Sequence, residues 1–304
     1  MLGKLIKNSF KANASAVYNN YIAMGVIAVV MLILMLVDWT KWGDRGVGVG
    51  MAIKVVSAAV LCLTAFVCVI LTFVSVFSEF RRNMYGREGQ LTLTLPVRSS
   101  SLLFAKWLSG SFWIILSYTA FCFCVFGSLL YLIRHSMSVI EGDADYFNIY
   151  SLVVEMIRQF ADAAGIAAPN ITVVFNLAGI YAIMGGVRAC VFVLMVYFAI
   201  TLSNCRPFHK LGKLGAVLYF FGVAFVVLTV SSMVTKLLKV YLIVSDTAFT
   251  FATSEAQVQA AWANGYGAAA ITNVYVSALL GVVVFLITSM LIDRRVNVSS
   301  GANT

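Results

Sequence analysis

The residues best suited to specific chemistry form one short polar stretch between two long apolar runs. The stretch from Tyr85 to Trp107 reads YGREGQLTLTLPVRSSSLLFAKW. It combines charged side chains, two glycines, alternating Leu and Thr, and one of the three prolines of the chain. Charged groups that steer docking and apolar groups that anchor it are typical of a surface that binds a protein partner. The stretch therefore predicts binding to a protein partner, and the alternative is a basic interfacial loop that only follows the positive-inside bias.

Catalytic and nucleotide-binding motifs do not accompany this stretch. The chain lacks GxxxxGK[ST], GxGxxG before a helix, HExxH and GxSxG. Its two histidines, His135 and His209, fall on opposite sides of the membrane in the topology predicted below, so they cannot share a site. The six cysteines show neither metal-ligand nor disulfide-framework spacing. We expect the chain to be no enzyme and to bind no metal or cofactor.

The elements that position the polar stretch are membrane spans. The chain of 304 residues is 62% hydrophobic and only 11% charged, against about 25% charged residues in a soluble domain. A span needs about 20 mostly apolar residues. The predicted fold class is an all-α integral membrane protein with six transmembrane helices, at about 19–38, 54–78, 107–133, 172–202, 214–234 and 272–292.

The distribution of Lys and Arg predicts the orientation. Of 21 basic residues, 13 fall in the set of segments that holds both termini and the stretch after the second span, and 7 fall in the opposite set. Basic residues concentrate on the cytoplasmic side of membrane proteins. Both termini and the polar stretch are therefore predicted to be cytoplasmic. The basic excess indicates topology and contact with membrane lipids, not nucleic-acid binding.

Segments outside the spans are predicted to add further helices. Residues 1–18 carry apolar and lysine side chains on different faces, as in a cytoplasmic helix that lies in the membrane interface. In the outer loop 136–170, the apolar positions from Tyr146 to Ala161 follow helical spacing. In the outer loop 235–271, the apolar run Leu237–Val244 favours a re-entrant or surface-lying helix.

The predicted hydrocarbon core of the spans, inside their end residues, holds a single charge, Arg188, and no carboxylate. Ion-driven transporters usually place ionisable groups inside the membrane, so any energy source is expected on a separate polypeptide. Two interpretations of Arg188 stay open. It faces a translocation path or a subunit interface, or it extends to the outer headgroups from a long fourth helix.

Two cytoplasmic connections resemble those of type 2 ABC exporter permeases. The first reads RRNMYGREGQLTLTLPVRSSSLLFAKWLSG and is similar to a GREG–x–LT–x–TLPV element of bacterial members. The second reads VYFAITLSNCRPFHKLGKLGAVLYFFGV and is similar to their join between spans four and five. The resemblance covers the whole six-span layout, and its specific signal lies in these two connections.

The resemblance implies a permease that pairs with a second permease copy or a homologous permease and engages two cytoplasmic ABC ATPase subunits, which bind ATP and Mg. It implies that residues 79–106 are the segment that couples ATP-driven closure of the ATPases to the spans. The residues implied for ATPase coupling are Arg81, Arg82, Tyr85, Gly86, Arg87, Glu88, Gly89, Leu91, Leu93, Leu95 and Pro96.

The chemical character of these residues supports the coupling role, with one exception. The charged residues suit contacts to a partner, the three leucines suit an apolar anchor, and the glycines permit tight turns. The conflict is that the run Leu91–Leu95 alternates with period two, which favours a strand over the short helix expected in the family.

The predicted function is the permease subunit of an ATP-driven ABC exporter, with an amphipathic or apolar cargo such as a peptide, drug or lipid-like molecule. One alternative is a membrane scaffold or sensor whose cytoplasmic loop binds a different partner. A second is an ion-coupled transporter or channel, against which the lack of membrane carboxylates argues.

Overall fold

A computed structural model describes residues 2–37, 46–85, 98–141, 158, 171–205, 212–245 and 248–301. In these residues the chain forms long helices and one small β-sheet. The elements in chain order are α1 (Leu2–Leu36), α2 (Gly46–Tyr85), α3 (Ser99–Glu141), α4 (Ile171–Ser203), α5 (Gly212–Leu237), β1 (Tyr241–Val244), β2 (Phe249–Ala252), α6 (Glu255–Ala263), β3 (Gly267–Ala270) and α7 (Thr272–Gly301). The amphipathic helix predicted within 136–170 falls largely outside the described residues.

Six of the described helices are long and apolar enough to cross a membrane, which fits a multi-pass membrane protein. The sequence predicted the same number, six. Residues 2–18 are helical and continue into the first span without a break. The apolar stretches are Val17–Leu34, Ala52–Tyr85, Ser99–Ser128, Thr172–Ser203, Gly215–Leu237 and Thr272–Asp293.

The chain divides into two compact units. The smaller unit comprises Gly3–Glu79 and Phe112–Leu152. Within it, α1 packs on α3 through a hydrogen bond between the hydroxyls of Tyr21 and Ser117. On α2, the ammonium group of Lys54 lies 5.9 Å from the ring centroid of Tyr131 in α3, a cation–π arrangement.

The larger unit comprises Phe80–Ser111 and Val153–Thr304, together with Met1–Leu2. Its helical part packs α4 against α5 and α7. Gly281 of α7 lets the two backbones approach, because a Cβ added there would lie 3.0 Å from Cγ2 of Val191 in α4. Where α5 and α7 pack together, the Ser231 hydroxyl donates to Oδ1 of Asn273 at 2.6 Å.

The loop predicted at 235–271 folds as a small β-subdomain (residues 240–271), and the expectation of an all-α protein is wrong there. The apolar run Leu237–Val244 is not a re-entrant or surface-lying helix. Leu237 ends α5, and Tyr241–Val244 is the central strand of a three-stranded antiparallel sheet of order β2-β1-β3. Hydrophobic periodicity cannot separate a short apolar strand from a helix. Both edges of β1 are hydrogen-bonded, to β2 and to β3.

The short helix α6 of the β-subdomain is capped at both ends. Ser254 caps its N-terminus by accepting from the backbone N–H of Gln257 at 3.4 Å. At the other end, the N–H of Tyr266 reaches the Ala261 carbonyl at 2.9 Å, and the N–H of Gly265 reaches the Trp262 carbonyl at 3.0 Å. These two bonds form a Schellman motif, which requires the positive φ of 72° found at Gly265.

One face of the sheet packs on the first half of α4. Ala269 of β3 is fully buried and shares a core cluster with Met184 of α4. Gly267 lies so close to Leu177 of α4 that an added Cβ would be 2.0 Å from Leu177 Cδ1. The opposite face carries the cross-strand pair Tyr241 and Ala270 and is directed towards α6.

Candidate functional site

The predicted coupling segment 79–106 starts and ends inside helices. Residues 79–85 form the last turns of α2, and residues 99–106 form the first turns of α3. The side chains of Arg81 and Arg82 are exposed on the end of α2. Basic side chains there complement the negative end of the helix dipole. The remaining predicted residues lie outside the described residues: Gly86, Arg87, Glu88, Gly89, Leu91, Leu93, Leu95 and Pro96.

An aromatic pair joins the end of α2 to α4. The ring of Tyr197 in α4 stacks on the ring of Phe80 in α2, with centroids 3.8 Å apart and planes 6° apart. Both side chains are buried, at 1% exposure each. Aromatic pairs contribute about 0.5–1.5 kcal/mol beyond the area that they bury. The stack therefore fixes the lateral position of the end of α2 against α4.

Hydrogen bonds extend this contact to α3 and to the last residue of α2. The Tyr197 hydroxyl donates to the backbone carbonyl of Lys106 in α3 at 3.4 Å. The Tyr85 hydroxyl donates to Oγ1 of Thr201 at 2.9 Å. That Thr201 hydroxyl in turn donates to the Tyr197 carbonyl at 2.8 Å. We call Phe80, Tyr85, Lys106, Tyr197 and Thr201 the Tyr197 cluster.

Apolar packing surrounds the same helix ends. Met84 of α2 and Leu103 of α3 are at most 1% exposed. Thr201, which carries a hydroxyl within this apolar setting, is also 1% exposed. Its hydroxyl both accepts and donates, as buried polar groups require. The two ends of the connection 86–98 are thus held in one tightly packed region of the larger unit.

This arrangement can transmit a displacement. Packed interiors have low compressibility and transmit strain, and rigid helices carry coupling between distant sites. A force applied to the connection 86–98 would act on the end of α2 and the start of α3. Because both are joined to α4 through Tyr197, the force would reach α4.

A second feature of the larger unit is an apolar groove of about 630 Å³ along α3, α4 and α7. Trp107 of α3 lies in it and donates its indole N–H to the Cys190 carbonyl of α4 at 2.9 Å. Gly186 and Gly281 contribute no side chains, which leaves the groove open. Its lining is almost wholly apolar, so it suits hydrocarbon or an apolar ligand.

Arg188 lies on α4 beside this groove without lining it. Its neighbours Val187 and Cys190 line the groove, whereas the Arg188 side chain is exposed. Both interpretations of Arg188 therefore stay predictions.

Sequence reasoning named Tyr85 but missed Phe80, Tyr197 and Thr201. A signal for Tyr197 was present, because a tyrosine deep in an apolar helix needs a partner for its hydroxyl. Thr201 follows it at the i+4 spacing that places two side chains on one helix face. The contact partners of Tyr197 and Thr201 could not be predicted, because Phe80 and Tyr85 belong to α2, which is far from α4 in the sequence.

Among the described residues, no group of three or more His, Cys, Asp or Glu is placed to hold a metal ion. Comparison with known proteins gives no match to a family model, to a curated protein or to a solved structure.

Proposed function

We propose that this chain is the transmembrane permease subunit of an ATP-driven ABC exporter in a bacterial cell membrane. It works with separate cytoplasmic ABC ATPase subunits, which bind ATP and Mg, and with a second permease, identical or homologous. The residues 79–106 are the coupling segment, and both termini lie on the same cytoplasmic side. The sequence resemblance in the two cytoplasmic connections motivates the family.

The observation that carries the proposal is the Tyr197 cluster. A loop that only satisfies the positive-inside bias needs no fastening to a distant helix. Here Phe80 before the connection and Lys106 after it both contact the same side chain, Tyr197. A coupling segment needs such a fastening, because motion at its tip must be passed to the spans.

Charge at the helix end supports docking on a partner. Arg81 and Arg82 are exposed, while the neighbouring Phe80 and Met84 are buried. Exposed charges raise the rate at which a partner docks and fix its register. An ATPase could therefore contact the exposed arginines at the end of α2 without entering the packed side of the helix.

The proposed cargo is amphipathic or apolar. The support is the apolar groove at Trp107, Cys190 and Gly281, since sites for drug-sized ligands are mostly apolar with few polar groups. A lipid-like molecule, a drug or an apolar peptide segment would suit this lining.

The test is co-purification with activity. The tagged chain is isolated from its native membranes, and bound proteins are identified by mass spectrometry. We expect an ABC ATPase whose hydrolysis rate falls by at least about tenfold when Gly89→Asp is combined with Leu91→Asp, because two charges enter the apolar anchor. Reconstituted vesicles then report ATP-dependent cargo export.

A matched control places the same two changes elsewhere on the predicted cytoplasmic side. Leu2 is exposed and Gly3 has open space around it, so Leu2→Asp with Gly3→Asp should leave hydrolysis near the wild-type rate. Full ATPase turnover in the Gly89/Leu91 variant would contradict the coupling role and favour a scaffold or sensor. Cargo flux that follows a proton gradient without ATP would favour an ion-coupled transporter.

A further inference from the structure

The β-subdomain contains a cavity that the coupling role does not use. It has a volume of about 430 Å³ and lies between α6 and the face of the sheet that does not pack on α4. This volume is within the range of small-molecule sites, about 300–1,000 Å³. The cavity belongs wholly to the larger unit.

The spacing of residues along α6 builds one wall. Glu255, Val258, Gln259 and Trp262 line the cavity, and the spacing i, i+3, i+4, i+7 places them on one helix face. Val258 is buried and holds α6 against the sheet. The carboxylate, the amide and the indole of the other three therefore line one side of the space.

The sheet supplies an aromatic side chain and a shallow floor. Tyr241 of β1 lies directly across from Ala270 of β3, and Ala268 follows on the same face. Because the two alanines have short side chains, the space above them stays open. Tyr181 of α4 completes the lining and is 53% exposed.

Among the described residues that line the cavity, Glu255 alone carries a charge at neutral pH, and none is Lys or Arg. Its Oε1 atom lies 2.6 Å from the ammonium Nζ of Lys239, which stands outside the lining. Both side chains are largely solvent-accessible, at 46% and 65% exposure, so Lys239 can swing away when another cation approaches.

Three aromatic side chains beside one carboxylate favour a particular ligand chemistry. The face of an aromatic ring attracts a cation, most strongly for Trp and then for Tyr. A carboxylate adds a direct ionic contact. The aromatic rings and the two alanines favour a ligand with an apolar body. The negative charge of Glu255 disfavours an anionic ligand.

We propose that this cavity, lined by Tyr181, Tyr241, Glu255 and Trp262, binds a small organic cation that carries an ammonium group on an apolar or aromatic body. The site goes beyond the proposed exporter function and does not depend on it, because binding needs only the β-subdomain and α4. In the proposed topology, the cavity opens on the side of the membrane opposite to the coupling segment. The bound cation displaces Lys239 as the partner of Glu255.

The test uses benzyltrimethylammonium and the full chain in dodecyl maltoside micelles, which contain no competing ammonium group. Saturation-transfer difference NMR reports on the trimethylammonium protons, and a titration gives Kd. The uncharged comparison ligand is 2-methyl-1-phenylpropan-2-ol, which has a similar shape without the charge. We expect benzyltrimethylammonium to bind at least about tenfold more tightly than the alcohol.

Charge variants test the role of the carboxylate. Glu255→Gln should weaken binding about tenfold, because it removes the ionic contact. Lys239→Gln should strengthen binding about threefold, because it removes the competing ammonium. Asp293→Asn, which removes an exposed carboxylate at the far end of α7, is the matched control and should not change Kd.

Variants that keep the ion pair test the cavity itself. Trp262→Leu should weaken binding about threefold or more, whereas Trp262→Phe should retain most of it. Phe251→Leu changes an aromatic residue that is 69% exposed and does not line the cavity, so it should bind normally. Ala270→Leu fills the floor at an exposed position and should abolish binding.

Thermal unfolding of each variant confirms that it is folded before its Kd is compared. Equal binding of the alcohol and the ammonium ligand would overturn the proposal. So would wild-type affinity in Ala270→Leu, which leaves Glu255 and Lys239 untouched. No ATPase takes part in this binding measurement. A negative result would therefore leave the exporter proposal unaffected, and a failure of the exporter proposal would leave the cation site unaffected.

Discussion

Tyr197 and Phe80 stack face to face with their ring centroids 3.8 Å apart, although one belongs to α4 and the other to the end of α2. The stack is buried on both sides. It joins α4 to the end of α2, the helix that leads into the predicted coupling segment.

Removing the Tyr197 ring should lower the stability of the fold strongly, whereas removing only its hydroxyl should lower it little. Tyr197→Ala leaves a cavity and removes the stacked partner of Phe80, and should lower the free energy of unfolding by about 3–5 kcal/mol. Tyr197→Phe keeps the stack and loses a long hydrogen bond, which should cost about 1 kcal/mol or less. SDS-induced unfolding in dodecyl maltoside, followed by tryptophan fluorescence, measures both values. Tyr275→Ala, at a tyrosine that is 64% exposed, is the control and should stay near wild type.

The hydrogen bond between Tyr85 and Thr201 should appear as a coupling energy. Tyr85→Phe and Thr201→Val each break the same 2.9 Å bond, so the double variant should lose about 1 kcal/mol less than the sum of the single losses. The same unfolding measurement completes the double-mutant cycle. Strict additivity would show that this bond does not contribute to stability.

Gly267 should tolerate no side chain unless Leu177 is shortened. A Cβ at Gly267 would lie 2.0 Å from Cδ1 and 2.7 Å from Cγ of Leu177. Gly267→Ala should therefore destabilise the protein by about 1–3 kcal/mol through overpacking. Adding Leu177→Ala should recover part of that loss.

The matched control for this change is Gly222→Ala on α5. Gly222 has nothing within 4 Å of an added Cβ, so alanine should stabilise the helix by about 0.5–1 kcal/mol. Thermal unfolding in micelles measures all three variants. A neutral effect of Gly267→Ala would show that the Leu177 side chain moves aside at little cost and would contradict the prediction.

The ion pair between Lys239 and Glu255 should make the β-subdomain sensitive to pH. Lys239 lowers the pKa of Glu255 below its ordinary value of 4.5, chiefly through a side-chain hydrogen bond. Glu255 raises the pKa of Lys239 above 10.5 for the same reason. A lowered carboxyl pKa stabilises the fold above 4.5, and this contribution is lost as the pH falls through the folded-state pKa. A raised ammonium pKa stabilises it below 10.5, and this contribution is lost as the pH rises through the folded-state pKa.

The measurement is the melting temperature of wild type and Glu255→Gln between pH 3 and 11. We expect wild type to be the more stable protein between about pH 5 and 10, and the difference to vanish towards pH 3. The pair is exposed, so the difference should be small and should shrink in high salt. A difference that persists unchanged at pH 3 would contradict an ionic origin.

Some structure in this chain was readable from local pattern. The caps of α6 are an example, because Ser254 stands three residues before Gln257 and Gly265 follows the helix. The sequence interpretation instead gave weight to the apolar run before them and expected a helix at Leu237–Val244. A short apolar segment becomes a strand only where other strands are available to form hydrogen bonds with it. For Tyr241–Val244 those strands are β2 and β3, which the apolar run itself does not indicate.

The sequence by itself determined the six spans, because the thickness of a bilayer sets the length and hydropathy of each crossing helix, and both are local properties. It also singled out the polar connection after the second span, because charge and glycine there contrast with the runs on either side. Only the tertiary structure decided that Tyr197 joins Phe80 to Lys106, that Tyr241–Val244 is a strand, and that one face of α6 encloses a cavity with Tyr181 and Tyr241. Each of these depends on contacts between separate helices and strands, and the pattern within one segment does not show which other segment it contacts.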